Sequence, residues 1–501
     1  MAALPKTWVA VRLGDFVENE KGKKPKNESK VQSSRHSLPY VDIQAFEDGI
    51  IGSWTDGTGC RLCYESDFLM VWDGSRSGLV SKGMNGALGS TLVRINFPSM
   101  VNDYAFYFLQ SKYQQINTRA KGTGTPHVDP DLLWNYEFPI PPKTEQRRIV
   151  AKIEELLSEL DKGIDNLKTV RAQIKVYRQA LLKHAFEGKL TSQWREENKD
   201  KLETAEAMLT RIQIERAQRY QRQLAEWEAG GKQGSKPKPP KALPSLTKEE
   251  LAELPSLPDG WIWMKLGQLT WSVKDGPHFS PKYVEHGIPF ISGGNIRPDG
   301  IDFDNVKHIS KELHADLCKR CMPETGDVLY TKGGTTGIAR VNTYNLDFNV
   351  WVHVAVLKLV NSIKPFYLQH ALNSSFCYLQ AQKYTHGVGN QDLGLTRMIN
   401  IILAVCSINE QEKVIDVVDD RLSVIDQLEK TVDEALQTSE ALRQSLLKKA
   451  FSGQLVPQDP NDEPASVLLA RIKAERATSN KIARAAKAYK ATPKSRKKAR
   501  V

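Results

Sequence analysis

Two Cys-x-x-Cys pairs, Cys60-x-x-Cys63 and Cys318-x-x-Cys321, have the spacing with which thiolates grip zinc, and His308 and His314 lie near the second. The same residues also suit a hydrophobic interior, because Leu313, Leu317 and Cys321 recur at helical spacing. The interior reading is preferred and no metal is expected. Glu28-Ser-Lys30, which could borrow Asp15, and Glu187-Gly-Lys189 echo the carboxylate and lysine of nuclease sites, but so short a pattern arises readily by chance. An Asn- or Asp-Pro-Pro-aromatic segment, which would hold a target amine for methylation, is missing, since the Pro-Pro pairs follow Ile140 and Lys238. A Gly-x-x-x-x-Gly-Lys-Ser/Thr phosphate loop is missing as well. No catalytic residue is nominated.

Residues suited to binding are easier to find. Gly74-Ser-Arg-Ser-Gly78 and Gly333-Gly-Thr-Thr-Gly337 combine glycines with hydroxyls and nearby cations, a composition that allows close approach to phosphates and base edges. They nominate Ser75, Arg76 and Lys82, with Lys121, Thr123 and His127 from a later loop, as contacts to nucleic acid. Further along they nominate Lys332, Thr335, Thr336, Arg340, Asn390 and Gln391. A plain surface or turn role stays open for each.

These loops sit in a chain written twice. Leu4-Pro-x-x-Trp8-x-x-x-x-Leu13-Gly14 returns as Leu257-Pro-x-x-Trp261-x-x-x-x-Leu266-Gly267. From Gly122 onward the register holds at a shift of 265 residues: Glu145-Gln146 meets Glu410-Gln411, and Leu181–Leu190 meets Leu446–Leu455. After a short length difference, the segment from Ala207 pairs with the one from Val467. The two heads match sparsely and are rich in short apolar runs broken by Gly, Pro, Asn and Asp, a pattern of loop-rich α+β domains. Trp8 and Trp261 are assigned to their cores.

Each head leads into a long helix. Pro139–Pro142 bars a helix and Thr144 is expected to cap the next one. Ile153, Leu160, Leu167, Ile174 and Leu181 then fall seven apart, with Leu156, Leu157, Ile164, Val170 and Tyr177 on a second seam. The second copy offers Val418, Ile425, Val432 and Leu446, with polar Ser439 among them, and Leu422, Leu428, Leu436 and Leu442 beside them. Neither helix can bury its seam alone, so the two are expected to pair as an antiparallel coiled coil.

The expected organisation is therefore a head at 1–140, a helical spacer at 141–190, a helix plus Pro/Gly/Lys-rich linker at 191–254, a second head at 255–405, a second spacer at 406–456, a distal helical repeat at 457–478 and a basic tail at 479–501. Arg476–Val501 holds ten Lys and Arg and no acid, so it supplies nearly all of the net charge of +11. That tail reads as disordered and the rest as near neutral. No apolar run is long enough for a membrane span and no secretory leader is visible. Six cysteines in 501 residues make no disulfide framework, so a reducing cytoplasm is the expected compartment.

Pro141-Pro142-Lys-Thr-Glu145-Gln146 running into a heptad helix, followed by Leu181-Leu-Lys-x-Ala185-Phe186-x-Gly188-x-Leu190, resembles the repeated framework of type I restriction-modification specificity subunits. The second copy departs at Cys406-Ser407, where prolines would stand. The Pro-x-x-Trp openings, with Gly326-Asp-Val-Leu-Tyr330, resemble that family's target-recognition domains. The resemblance implies a non-catalytic chain whose heads each read half of an asymmetric double-stranded DNA target. The helices would set the gap and dock two methylation subunits, and restriction subunits would join them. S-adenosylmethionine, ATP and magnesium would be held by those other chains. A DNA methyltransferase or nuclease with its own recognition domains, and a coiled-coil scaffold without sequence specificity, are the alternatives.

Overall fold

A computed structural model describes residues 4–478 apart from 99, 123, 240–242, 244, 388–390 and 476. The basic tail from 479 therefore lies outside the described residues. The chain divides into two units: the first joins residues 1–168 to 433 onward, and the second is the continuous stretch 169–432.

In the first unit, Glu18–Lys21, Leu92–Asn96, Phe68–Val71 and Val80–Lys82 form, in that order, an antiparallel four-stranded sheet. Phe68–Val71 is buried throughout, as expected of an apolar run between turn residues. A second, five-stranded sheet contains a short parallel pair, Tyr40-Val41 on Ala87-Leu88. Val9–Arg12 pairs with Glu137–Ile140, so the start of the head meets the strand that feeds the long helix.

The second unit repeats this plan. Thr270–Asp275, Val354–Leu359, Val328–Thr331 and Ala339–Val341 take the same order. Phe290-Ile291 on Asn349-Val350 is the parallel pair, and Ile262–Lys265 meets Ile402–Val405. The α+β class and the duplication hold.

The long helices are Lys143–Phe186 and Ile408–Phe451, each of 44 residues. The first begins one residue before Thr144, which is therefore not its cap; the Thr144 hydroxyl instead donates to the Asp462 carboxylate. Within the first unit Asp161 pairs with Arg443, and within the second Arg178 pairs with Asp426 at 2.5 Å and Glu429 at 3.2 Å. From Asp161 to Arg178 the numbers rise on the first helix while those of their partners fall from Arg443 to Asp426, the sense of an antiparallel pair. Ile153, Ile174, Leu181, Val418, Ile425, Val432 and Leu446 are buried, while Leu160 and Leu167 are half-buried. The second seam departs from expectation, because Val170, Tyr177, Leu428 and Leu442 are exposed. One partner helix covers a single stripe, so the wider apolar face is left open.

The duplicated motifs fasten each head to helix ends taken from both copies. In the first unit the Trp8 indole donates to Glu145 at 3.1 Å, and Phe451 packs on Tyr104 with centroids 5.2 Å apart. In the second, Trp261 donates to Glu410 at 3.0 Å, and Phe186 packs on Tyr367, also at 5.2 Å. Gly453 has φ of 75°, and a Cβ there would lie 2.4 Å from Pro5; Gly188 has φ of 68° and would meet Pro258 at 2.6 Å. Glycine is required at both for the left-handed turn and for this approach. Gln146 and Gln411 each donate to a carbonyl five residues back and accept a head N–H, from Val101 and Lys364. The Glu-Gln signature is thus a docking device for the heads.

Candidate nucleic-acid interface

At one end of each four-stranded sheet a strand opens into a glycine loop, and backbone pairing ties that loop to a second one. In the first head Asp73 bridges to His127, Lys121 also bridges to His127, and the Gly74 N–H donates to Pro126 at 2.7 Å. In the second head Gly333 bridges to Asp392, as does His386. His127 and Asp392, and Lys121 and His386, lie 265 apart, the shift read from the sequence. Gly78 and Gly337 close the loops with φ of 92° and 104°; a Cβ would strike Ile116 at 2.5 Å or Tyr378 at 2.8 Å. This pairing brings the nominated Ser75, Arg76, Lys121 and His127 together in one cluster, and Lys332, Thr335, Thr336 and Gln391 in the other.

Their surroundings differ. Ser75 is exposed, and exposed Arg76 pairs with Glu47 at 2.6 Å. Lys121 pairs with Asp129 at 2.9 Å, and that hydrogen bond raises the ammonium above its ordinary value while lowering the carboxyl. Lys82 is not in the cluster. Its strand pairs it with Phe68, at the opposite end of the strand from the loop, where it meets Asp103 and lies over Phe106 at 5.0 Å. Thr123 and Asn390 lie outside the described residues.

In the second head Lys332 is buried between Asp392 at 2.9 Å and Asp275 at 3.4 Å, so it organises the loops from within. Thr335 and Gln391 are exposed. Thr336 is only 6% exposed and its hydroxyl has no hydrogen-bond partner among the described residues. Arg340 turns away to donate to the Arg297 carbonyl at 2.9 Å, and burial lowers its guanidinium below the ordinary value. Asp275 escaped the sequence reading because a lone acid before Gly276 carries no local signal.

The cysteines are separated by the fold. Cys63 lies in a core with Val41 and Leu69, and Cys321 in one with Ile291 and Leu329. Burial pushes both thiols up to about 12. The helix that was to carry Cys321 ends at Cys318, whose sulfur rests 3.6 Å from His314.

The profile of a family described as the type I restriction modification DNA specificity domain matches residues 5–175 and 258–438. The chain belongs to this family. Over 180 residues it is 36% identical to the MjaVIII specificity subunit of Methanocaldococcus jannaschii, a match covering 35% of this chain and 40% of that one. It is 23% identical to the EcoBI specificity subunit of Escherichia coli, over 94% of this chain and 93% of the relative. The EcoDI specificity subunit of Escherichia coli is likewise 23% identical, over 95% and 97%. A chain solved in work on the assembly and conformational transition of the type I R-M system shares the fold at a TM-score of 0.61 and 18% identity, over 91% of this chain and all of that one. The protein is thus a specificity subunit of a type I restriction-modification system, a non-catalytic component. Among the described residues, no helix is long and apolar enough to cross a membrane.

Proposed function

We propose that each head of this specificity subunit reads one part of a two-part DNA target through its paired loops, and that the helices fix the gap between the parts. The observation that carries this reading is one framework built twice with unlike loop clusters. A reader of a non-palindromic site needs two different surfaces, whereas a symmetric dimer would impose symmetry on its site. A 44-residue helix rises about 66 Å at ~1.5 Å per residue, long enough to act as a ruler.

The same helices dock two methylation subunits, and restriction subunits join that assembly. The exposed Val170, Val176, Tyr177, Val424 and Leu428 of the second unit support this role, because apolar side chains left open on a paired helix suit a further chain. S-adenosylmethionine, ATP and magnesium belong to those partners, and the assembly works on cytoplasmic DNA. Deleting the gene and mapping methylated bases across the genome tests the reading. Methylation should vanish at one asymmetric, interrupted motif and persist elsewhere. Loss at a palindrome, or an unchanged methylation map, would overturn it.

A further inference from the structure

Beside the glycine loop of the second head lies a cleft of about 320 Å³, lined by Tyr283, Phe290, Arg297, Asp302, Lys307 and Trp351 among others. Its size falls within the range of pockets that enclose small ligands. Tyr283 and Phe290 stand 6.2 Å apart, and the Lys307 ammonium lies 4.4 Å over the Tyr283 ring. Arg297 pairs with Asp302 at 2.6 Å. The His353 ring, 5.0 Å from that of Trp351, connects this lining residue to the glycine loop and would collide with any Cβ on Gly333.

The first head repeats the backbone here and keeps an aromatic, Tyr40, in the place of Phe290, but it lacks the tryptophan. The Trp351 N–H donates to Ile291, as Gly89 donates to Val41. The Lys332 N–H donates to the His353 carbonyl, as Trp72 donates to Thr91. Trp351 and His353 therefore occupy the places of Gly89 and Thr91. Where a shared framework diverges from glycine to tryptophan beside a DNA-facing loop, the divergence marks what that head selects.

We propose that this cleft takes one nucleotide of the target part read by the second head, with the base face against Trp351 and Tyr283 and the phosphate on Lys307. Aromatic faces accept an unstacked base, and a flanking cation neutralises its phosphate. The Arg297 guanidinium, held by Asp302 and still half-exposed, supplies hydrogen-bond donors that distinguish among bases. This inference rests on the second head being a DNA reader.

The test uses the full chain assembled with its methylation subunits and DNA carrying the mapped motif. An abasic lesion is stepped through the second part of the target, and binding is compared for wild type and Trp351→Ala. The substitution is expected to weaken binding roughly ten- to hundred-fold. At one position the lesion should weaken wild type by a similar factor and leave Trp351→Ala no weaker, the signature of a shared contact. Exposed Lys307→Glu covers the case of a misfolded tryptophan variant and should weaken binding with a shallower salt dependence. Wild-type affinity for both variants, or lesion and substitution effects that multiply at every position, would overturn the cleft. If wild type shows no base preference anywhere in the second part, the failure lies with the head as a reader.

Discussion

In the first head Trp8 donates to a carboxylate whose other oxygen accepts from neutral Gln458 at 2.6 Å. In the second, Trp261 donates to a carboxylate whose other oxygen binds Arg195, with Nη2 at 2.7 Å, and Thr191 at 2.7 Å. The indole, the glutamate and the glycine-proline contact are common to both, while the counter-group is an amide in one and a cation in the other. Burial raises the Glu145 carboxyl above its usual range, since amide and indole donors only partly replace water. The loop clusters differ further. The buried Lys332 occupies the place of Trp72, which in the first head stacks on Trp134 with centroids 6.3 Å apart. Duplication kept what docks a head to its helices and released what faces outward.

Exchanging the heads should break the comparison most visibly. Replacing residues 1–140 with another head, while keeping Pro5 and Trp8, should replace one part of the methylated motif and leave the other part and the gap unchanged. A change in both parts would show that the heads do not act independently.

Next in size is Arg195→Gln, which gives the second unit the amide found in the first. Arg195 and Glu410 are nearly enclosed, with side chains 11% and 2% exposed. Removing one member of a buried pair strands the other, at a cost of about 3–5 kcal/mol. Chemical denaturation of the full chain should show that loss, confined to the second unit; a shift under about 1 kcal/mol would mean that Glu410 finds other partners.

Gly188→Ala and Gly453→Ala should each cost about 1–3 kcal/mol through left-handed backbone and crowding against proline. Hydrogen exchange should place the first variant's loss in residues 258–405 and the second's in residues 4–140. The reverse assignment would contradict the crossed docking. The smallest effect concerns thiols. Half-buried Cys60 and Cys318 should react with an alkylating reagent at pH 8 well before buried Cys63 and Cys321, whose raised values keep them protonated. Equal rates would place the latter pair outside the cores.

Much of this could be read from residue types alone. The shift of 265, the seven-residue spacing from Ile153 to Leu181 and the paired Trp8 and Trp261 fixed the duplication, the long helices and two core anchors. Each is a regularity along the chain, set by helix period or by repeated framework. Three features were illegible because they depend on what lies opposite in space. Val170 and Tyr177 obey the heptad pattern yet stay open, because a single partner helix covers one stripe. Lys332 looks like a free cation in its loop, but Asp275 and Asp392, distant in sequence, enclose it. Gly188 and Gly453 signal a turn in the sequence, and only the tertiary structure shows each resting on the proline of the other copy's head. Periodicity is a property of a chain with itself, and the sequence determined it; the choice of partner for each face is a property of packing, which only the folded molecule decided.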